Sequence, residues 1–92
     1  TLGNANNFGD LTIARNSLAT TSNGTNNRGV FGGGYCHNDK DLNTIDYITI
    51  STPGNAIDFG DLTVRRWGPG ATSNGTNDRG VFGGGDNGNG KL

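Results

Sequence analysis

The densest set of reactive groups in this 92-residue chain is Cys36-His37 followed by Asp39 and Asp41. Sulfur, imidazole and carboxylate are the donors of a transition-metal site. Neighbours in an extended chain point to opposite faces, however, and cannot converge on one ion. A second copy of the region carries Asn87 and Gly88 in place of Cys36 and His37, so the segment reads as a solvated loop. Asp86-Asn87-Gly88-Asn89-Gly90 offers oxygen donors of the kind Ca²⁺ takes, but its spacing completes no calcium loop and it reads as a polar turn. Gly32-Gly33-Gly34 is followed by neither a Lys-Ser/Thr pair nor a helix start, the features that let glycine loops cradle phosphate. With one His and no Ser or Cys beside an evident base, the inventory predicts no enzyme, no metal and no cofactor.

The sequence is repetitive. Thr21–Gly34, TSNGTNNRGVFGGG, returns as Thr72–Gly85, TSNGTNDRGVFGGG, 51 residues later. Residues 1–41 laid on 52–92 without gaps agree at more than half of their positions, among them Phe8/Phe59, Arg15/Arg66, Arg28/Arg79, Gly33/Gly84 and Gly34/Gly85. A period near fifty points to one supersecondary unit used at least twice. Residues 1–92 are therefore one repeat array: a unit 1–51 and a second, incomplete unit 52–92. The second copy stops ten residues short, before the counterpart of Leu42–Ser51, and the chain opens on Thr1 rather than Met. An excerpt or a processed product is expected.

The elements that would carry these residues are strands. Ile45–Ile50 places Asp46, Ile48 and Ile50 on one face and Ile45, Tyr47 and Thr49 on the other, a pattern for a strand covered on both sides. Phe59–Val64 and its copy Phe8–Ile13 alternate; Leu18–Ser22, Arg28–Gly32, Ala71–Ser73 and Arg79–Gly83 are shorter. Asn23-Gly24 and Asn74-Gly75 are pairs suited to tight hairpins, because both residues adopt positive φ. That need explains Asn-Gly-Thr at 23–25 and 74–76 without invoking their use as glycosylation sequons. Tyr35–Asn43 reads as a polar loop, and no segment has helical periodicity with caps. The prediction is an all-β chain whose period is a four-stranded antiparallel meander, Leu18–Ser22, Gly29–Gly33, Thr44–Ile50 and Phe59–Val64. Meanders of this length repeat as β-propeller blades, about one and a half of them here. The glycine runs would then permit close backbone approach. The repeated arginines Arg15, Arg66, Arg28 and Arg79 would bind backbone carbonyls or the carboxylates Asp10 and Asp61 of their own repeats.

Composition narrows the function. Hydrophobic residues are 29% of the chain and glycine supplies 18 positions, so little apolar area offsets a large backbone entropy. A lone domain of this size buries only about 60–65% of its extended surface, and independent stability is not expected. Unpaired edges at Phe8–Ile13 and Gly80–Gly83 should be covered by other repeats or other copies. Net charge is −1 with the basic residues scattered, which predicts no nucleic-acid partner. No apolar run approaches a membrane span and no leader is evident, so no membrane insertion is expected. The single Cys36 forms no internal disulfide and leaves the compartment open.

Gly33-Gly34-Tyr35 at the end of an apolar strand, Tyr47 in the third strand, and Phe59 followed by Leu62 and Arg66 together resemble the kelch repeat. In the other copy the last three are Phe8, Leu11 and Arg15. The near-identical copying is more similar to kelch-like arrays in structural proteins of marine tailed phages and in bacterial surface proteins. That resemblance implies a propeller fold and a structural or adhesive role in a virion appendage such as a tail fibre, or at a cell surface, hence an extracellular or virion location. The alternative is a lectin-like module in which Trp67 and Tyr35 stack on surface glycans.

Overall fold

The computed structural model describes residues 2–22, 27–73, 75 and 79–92. The Asn23-Gly24 turn, Asn74 and the sequons at Asn23 and Asn74 lie outside the described residues; Gly75 is described, with the positive φ expected of it, +72°. Among these residues all regular structure is strand, as the patterning predicts, and every pairing is antiparallel.

The main sheet has four strands in sequence order: β1 (Ala19–Ser22), β2 (Arg28–Gly32), β5 (Thr44–Thr49) and β6 (Ile57–Asp61). Between β2 and β5 the chain makes a small hairpin of β3 (Tyr35–Cys36) and β4 (Lys40–Asp41). The second repeat gives the hairpin β7 (Gly70–Ser73) and β8 (Gly80–Gly83), then β9 (Asp86–Asn87) and β10 (Gly90–Lys91). β5 is central because its β-branched and aromatic residues suit a covered strand: Ile45 faces Gly32, Asp46 faces Phe31 and Tyr47 faces Val30. The polar loop expected at Tyr35–Asn43 is thus an ordered turn. Its counterpart is one residue shorter, since Asp41 pairs with Tyr35 whereas Lys91 pairs with Asp86. Leu42 and Leu92, which donate to Gly34 and Gly85 at 2.9 Å each, are the true equivalents, and the gapless alignment slips by one there.

Two strand expectations need correction. Phe59–Val64 starts earlier and ends at Asp61, because the chain turns to cross the end of the sheet: Leu62 donates to Asn43 at 2.7 Å and Arg66 to Leu42 at 3.0 Å. Phe8–Ile13 is not a strand. Its counterpart β6 is held by β5, and among the described residues no third strand lies beside Phe8. It runs instead along the second repeat, where Gly54 and Ala56 donate to the carbonyls of Phe8 and Asp10 at 2.8 Å each.

The hairpin of the second repeat lies on the sheet of the first. A Cβ built on Gly32 would sit 2.8 Å from the Phe82 ring, and one on Gly80 would sit 2.8 Å from Cγ2 of Thr21. Glycine lets the two layers approach where any side chain would hold them apart. The glycine runs do a second thing at 33–34, where φ is +70° and +108° and the backbone turns to meet carbonyls of Arg66 and Asn16. The apolar core is small: among the described residues the buried hydrophobic ones are Ala19, Val30 and Leu42.

Candidate functional site

Among the described residues, the one that is buried completely is a carboxylate. Asp46 on β5 has no exposed surface. One oxygen takes the Thr12 amide at 2.9 Å and Arg15 Nη2 at 2.6 Å, and the Thr12 hydroxyl lies 2.8 Å from both oxygens. Arg15 is itself fully covered, donating Nη1 to the carbonyls of Gly33 and Thr44 at 3.2 and 3.1 Å and Nε to Ile13 at 3.2 Å. Each charge is removed from water but saturated by donors or acceptors, the condition under which a buried pair is tolerated. The sequence predicted carbonyl partners for Arg15 correctly and the carboxylate wrongly. Asp10 and Asp61 lie on exposed positions, and Asp46 is brought to Arg15 by strand pairing across 31 residues. The signal was present in the alternation, since Asp46 shares a face with Ile48.

The second arginine pair behaves differently. Arg28 lies over the ring of Tyr47, 4.4 Å from its centroid, and 5.7 Å from that of Phe59. Tyr47 and Phe59 meet edge to face at 5.4 Å. The resembled aromatic positions of β5 and β6 therefore form one cation–π stack at the sheet's edge, of a kind contributing about 0.5–1 kcal/mol when partly exposed. Arg66 repeats the carbonyl contacts of Arg15, donating Nε to Val64 at 3.1 Å and Nη1 to Gly84 at 3.0 Å. Arg79 is exposed. Phe8 is half-buried and Phe59 is 52% exposed, so neither is a core residue among the described part.

Tyr35 and Trp67, far apart in sequence, are brought together. Asn16 and Tyr35 exchange backbone hydrogen bonds at 2.9 and 2.8 Å, and Trp67 and Asp86 do so at 2.9 Å in the equivalent place. Gly68 donates to Ser17 at 2.6 Å and ties the two bridges side by side. Each bridge thus pairs one aromatic with one polar residue, in opposite order. Tyr35, Trp67, Asn16 and Ser17 line an open cleft of about 260 Å³. Beyond Trp67, which is 37% exposed, a second cleft of about 280 Å³ is lined by Gly85, Asp86 and Lys91. Lys91 Nζ lies 2.8 Å from Asp86 Oδ2, and that hydrogen bond raises its pKa above the usual 10.5.

The Cys36 loop serves the turn. The Asp39 amide donates to Cys36 Sγ at 3.2 Å, and Asp41 accepts from the Gly88 amide at 2.9 Å, joining the loops of the two repeats. Among the described residues no three His, Cys, Asp or Glu side chains converge as metal ligands would. No helix among them is long and apolar enough to cross a membrane. The chain matches no protein-family model and no curated protein.

Proposed function

We propose that this chain is a non-enzymatic, structural and adhesive repeat module of the kelch-like type, its four-stranded meander a propeller blade. The observation that carries the reading is the joint between repeats. The positions copied most faithfully, Arg28–Gly34 and Arg79–Gly85, include those at which one layer meets the other, Phe82 over Gly32 and Gly80 against Thr21. β1 lies against β7, its own counterpart, as innermost strands of neighbouring blades would. Variation is densest in the segments around the bridges, Asn16–Thr20 against Trp67–Ala71, and in the loop after each glycine run. A constant frame with variable loops suits recognition at a surface rather than chemistry at one fixed constellation. Other repeats or copies are its partners, in a phage virion appendage or on a bacterial surface.

A second reading, glycan binding, is favoured by the Tyr35–Trp67 cleft. Two aromatic groups beside Asn16 and Ser17 match the pairing of ring face and hydrogen-bond donor that sugars require. Immunogold labelling of virions and cells, with a glycan array probed by the wild type and by Trp67→Ala, tests both. Labelling of a virion appendage or cell exterior is expected; binding lost in Trp67→Ala selects the lectin-like role, and no binding leaves the scaffold. Labelling confined to the cell interior, or a metal-dependent turnover, would overturn the proposal.

A further inference from the structure

The two repeats carry the same pair of carboxylate-gripping residues, and among the described residues only the first pair holds a carboxylate. In the first, Thr12 and Arg15 grip Asp46, delivered by β5 along the edge of β2. In the second, the equivalents are Thr63 and Arg66, and the edge is that of β8. Arg66 is held as Arg15 is: Nε to Val64 where Arg15 takes Ile13, and Nη1 to Gly84 where Arg15 takes Gly33. Among the described residues no carboxylate reaches its Nη2, and β8 pairs with β7 alone. The same edge is apolar and uncovered. Val81 is 53% exposed, whereas Val30, at the equivalent place on β2 and paired with Tyr47 of β5, is 6% exposed.

We propose that the free edge of β8, with Thr63 and Arg66, is a strand-addition site for a third strand of this repeat type, an equivalent of β5, read through its aspartate. This rests on the repeat reading above. The incoming strand runs antiparallel to Gly80–Gly83, with its Asp opposite Phe82, as Asp46 lies opposite Phe31. Its Tyr then falls opposite Val81 and beneath Arg79, as Tyr47 lies beneath Arg28. Backbone hydrogen bonds give such an edge affinity for any strand; the fixed guanidinium gives it a preference for one bearing a carboxylate at that register. A neutral strand would cover Arg66 and leave its charge without a partner.

The test is a labelled peptide of residues 42–51, LNTIDYITIS, titrated against the 92-residue chain by fluorescence anisotropy, with amide exchange read by NMR. Saturable binding is expected, with slowed exchange at Gly80–Gly83 and no change at Arg28–Gly32. The Asp46→Asn peptide should bind at least about tenfold more weakly, the loss typical of a charged hydrogen bond. The chain variant Arg66→Gln should lose the same factor for the wild-type peptide and little for the Asn peptide. Arg66→Lys, which keeps the charge without the two carbonyl contacts, should fall between. Equal affinity of the two peptides, protection at Arg28–Gly32 through exchange with β5, or no binding would overturn the inference. If the free chain shows no protected β7–β8 hairpin, the repeat reading itself has failed; a protected hairpin with an unoccupied edge sinks only the strand-addition site.

Discussion

Replacing Asp46 by Asn keeps the shape of the side chain and removes its charge from a site with no solvent. The Thr12 amide, the Thr12 hydroxyl and Arg15 Nη2 all point at its oxygens. An amide offers one oxygen where the carboxylate offered two, so one donor meets an NH₂ group, and Arg15 stays buried with its charge unbalanced. Breaking a buried pair from one side costs about 3–5 kcal/mol. A stable domain of 92 residues has roughly 5–14 kcal/mol of total stability, and with only Ala19, Val30 and Leu42 buried among the described hydrophobic residues this chain falls at or below the low end. Asp46→Asn should therefore remove most of the folded population. The assay is urea unfolding followed by circular dichroism and by the single Trp67, in an osmolyte that gives the wild type a folded baseline. Asp10→Asn and Asp61→Asn, at exposed positions, should stay within about 0.5 kcal/mol of wild type. Replacing both members, Arg15→Met with Asp46→Leu, should cost far less than the sum of the single changes. A loss below about 1 kcal/mol for Asp46→Asn, or an equal loss for Asp61→Asn, would refute the clamp.

Equivalent glycines should respond unequally. Gly32→Ala meets the Phe82 ring and should cost about 1–3 kcal/mol, while Gly83→Ala, with nothing within 4 Å, should be neutral or stabilising by up to about 1 kcal/mol, both read from urea midpoints. Arg28→Ala removes the cation over Tyr47 and should cost about 0.5–1 kcal/mol, with a changed Tyr47 ring shift in NMR spectra. Lys91→Ala should leave the midpoint unchanged at neutral pH, since its side chain is 88% exposed. The Lys91 pKa is raised by Asp86, so whatever the contact contributes is present below pH 10.5 and fades above it; a midpoint that falls between pH 6 and 9 in the wild type but not in Lys91→Ala would contradict this.

What the sequence made legible was whatever is local or periodic. Strand type follows from alternation in Ile45–Ile50 and from the copied Arg-Gly-Val-Phe-Gly, and strand order follows from short connections between neighbours. The failures share one cause. Phe8–Ile13 alternates as well as its copy does, but a strand exists only beside another strand, and β6 has β5 where Phe8 has none among the described residues. Asp46 was visible as a residue and invisible as a partner, because its contact with Arg15 is fixed by the register between β2 and β5 and by the crossing of residues 12–15 over the sheet. Tyr35 and Trp67 were singled out for their chemistry alone. What puts them on one cleft is the contact between successive bridges, through Gly68 and Ser17, a relation between repeats that neither repeat states by itself. The same holds for Gly32, whose reason is Phe82 fifty residues on. In a repeat array the unit carries its own strands, but the sites belong to the joints. Arg15 and Arg66 follow the same Phe-Gly-Asp-Leu-Thr segment and donate to equivalent carbonyls, and they differ in what the neighbouring strand brings to them.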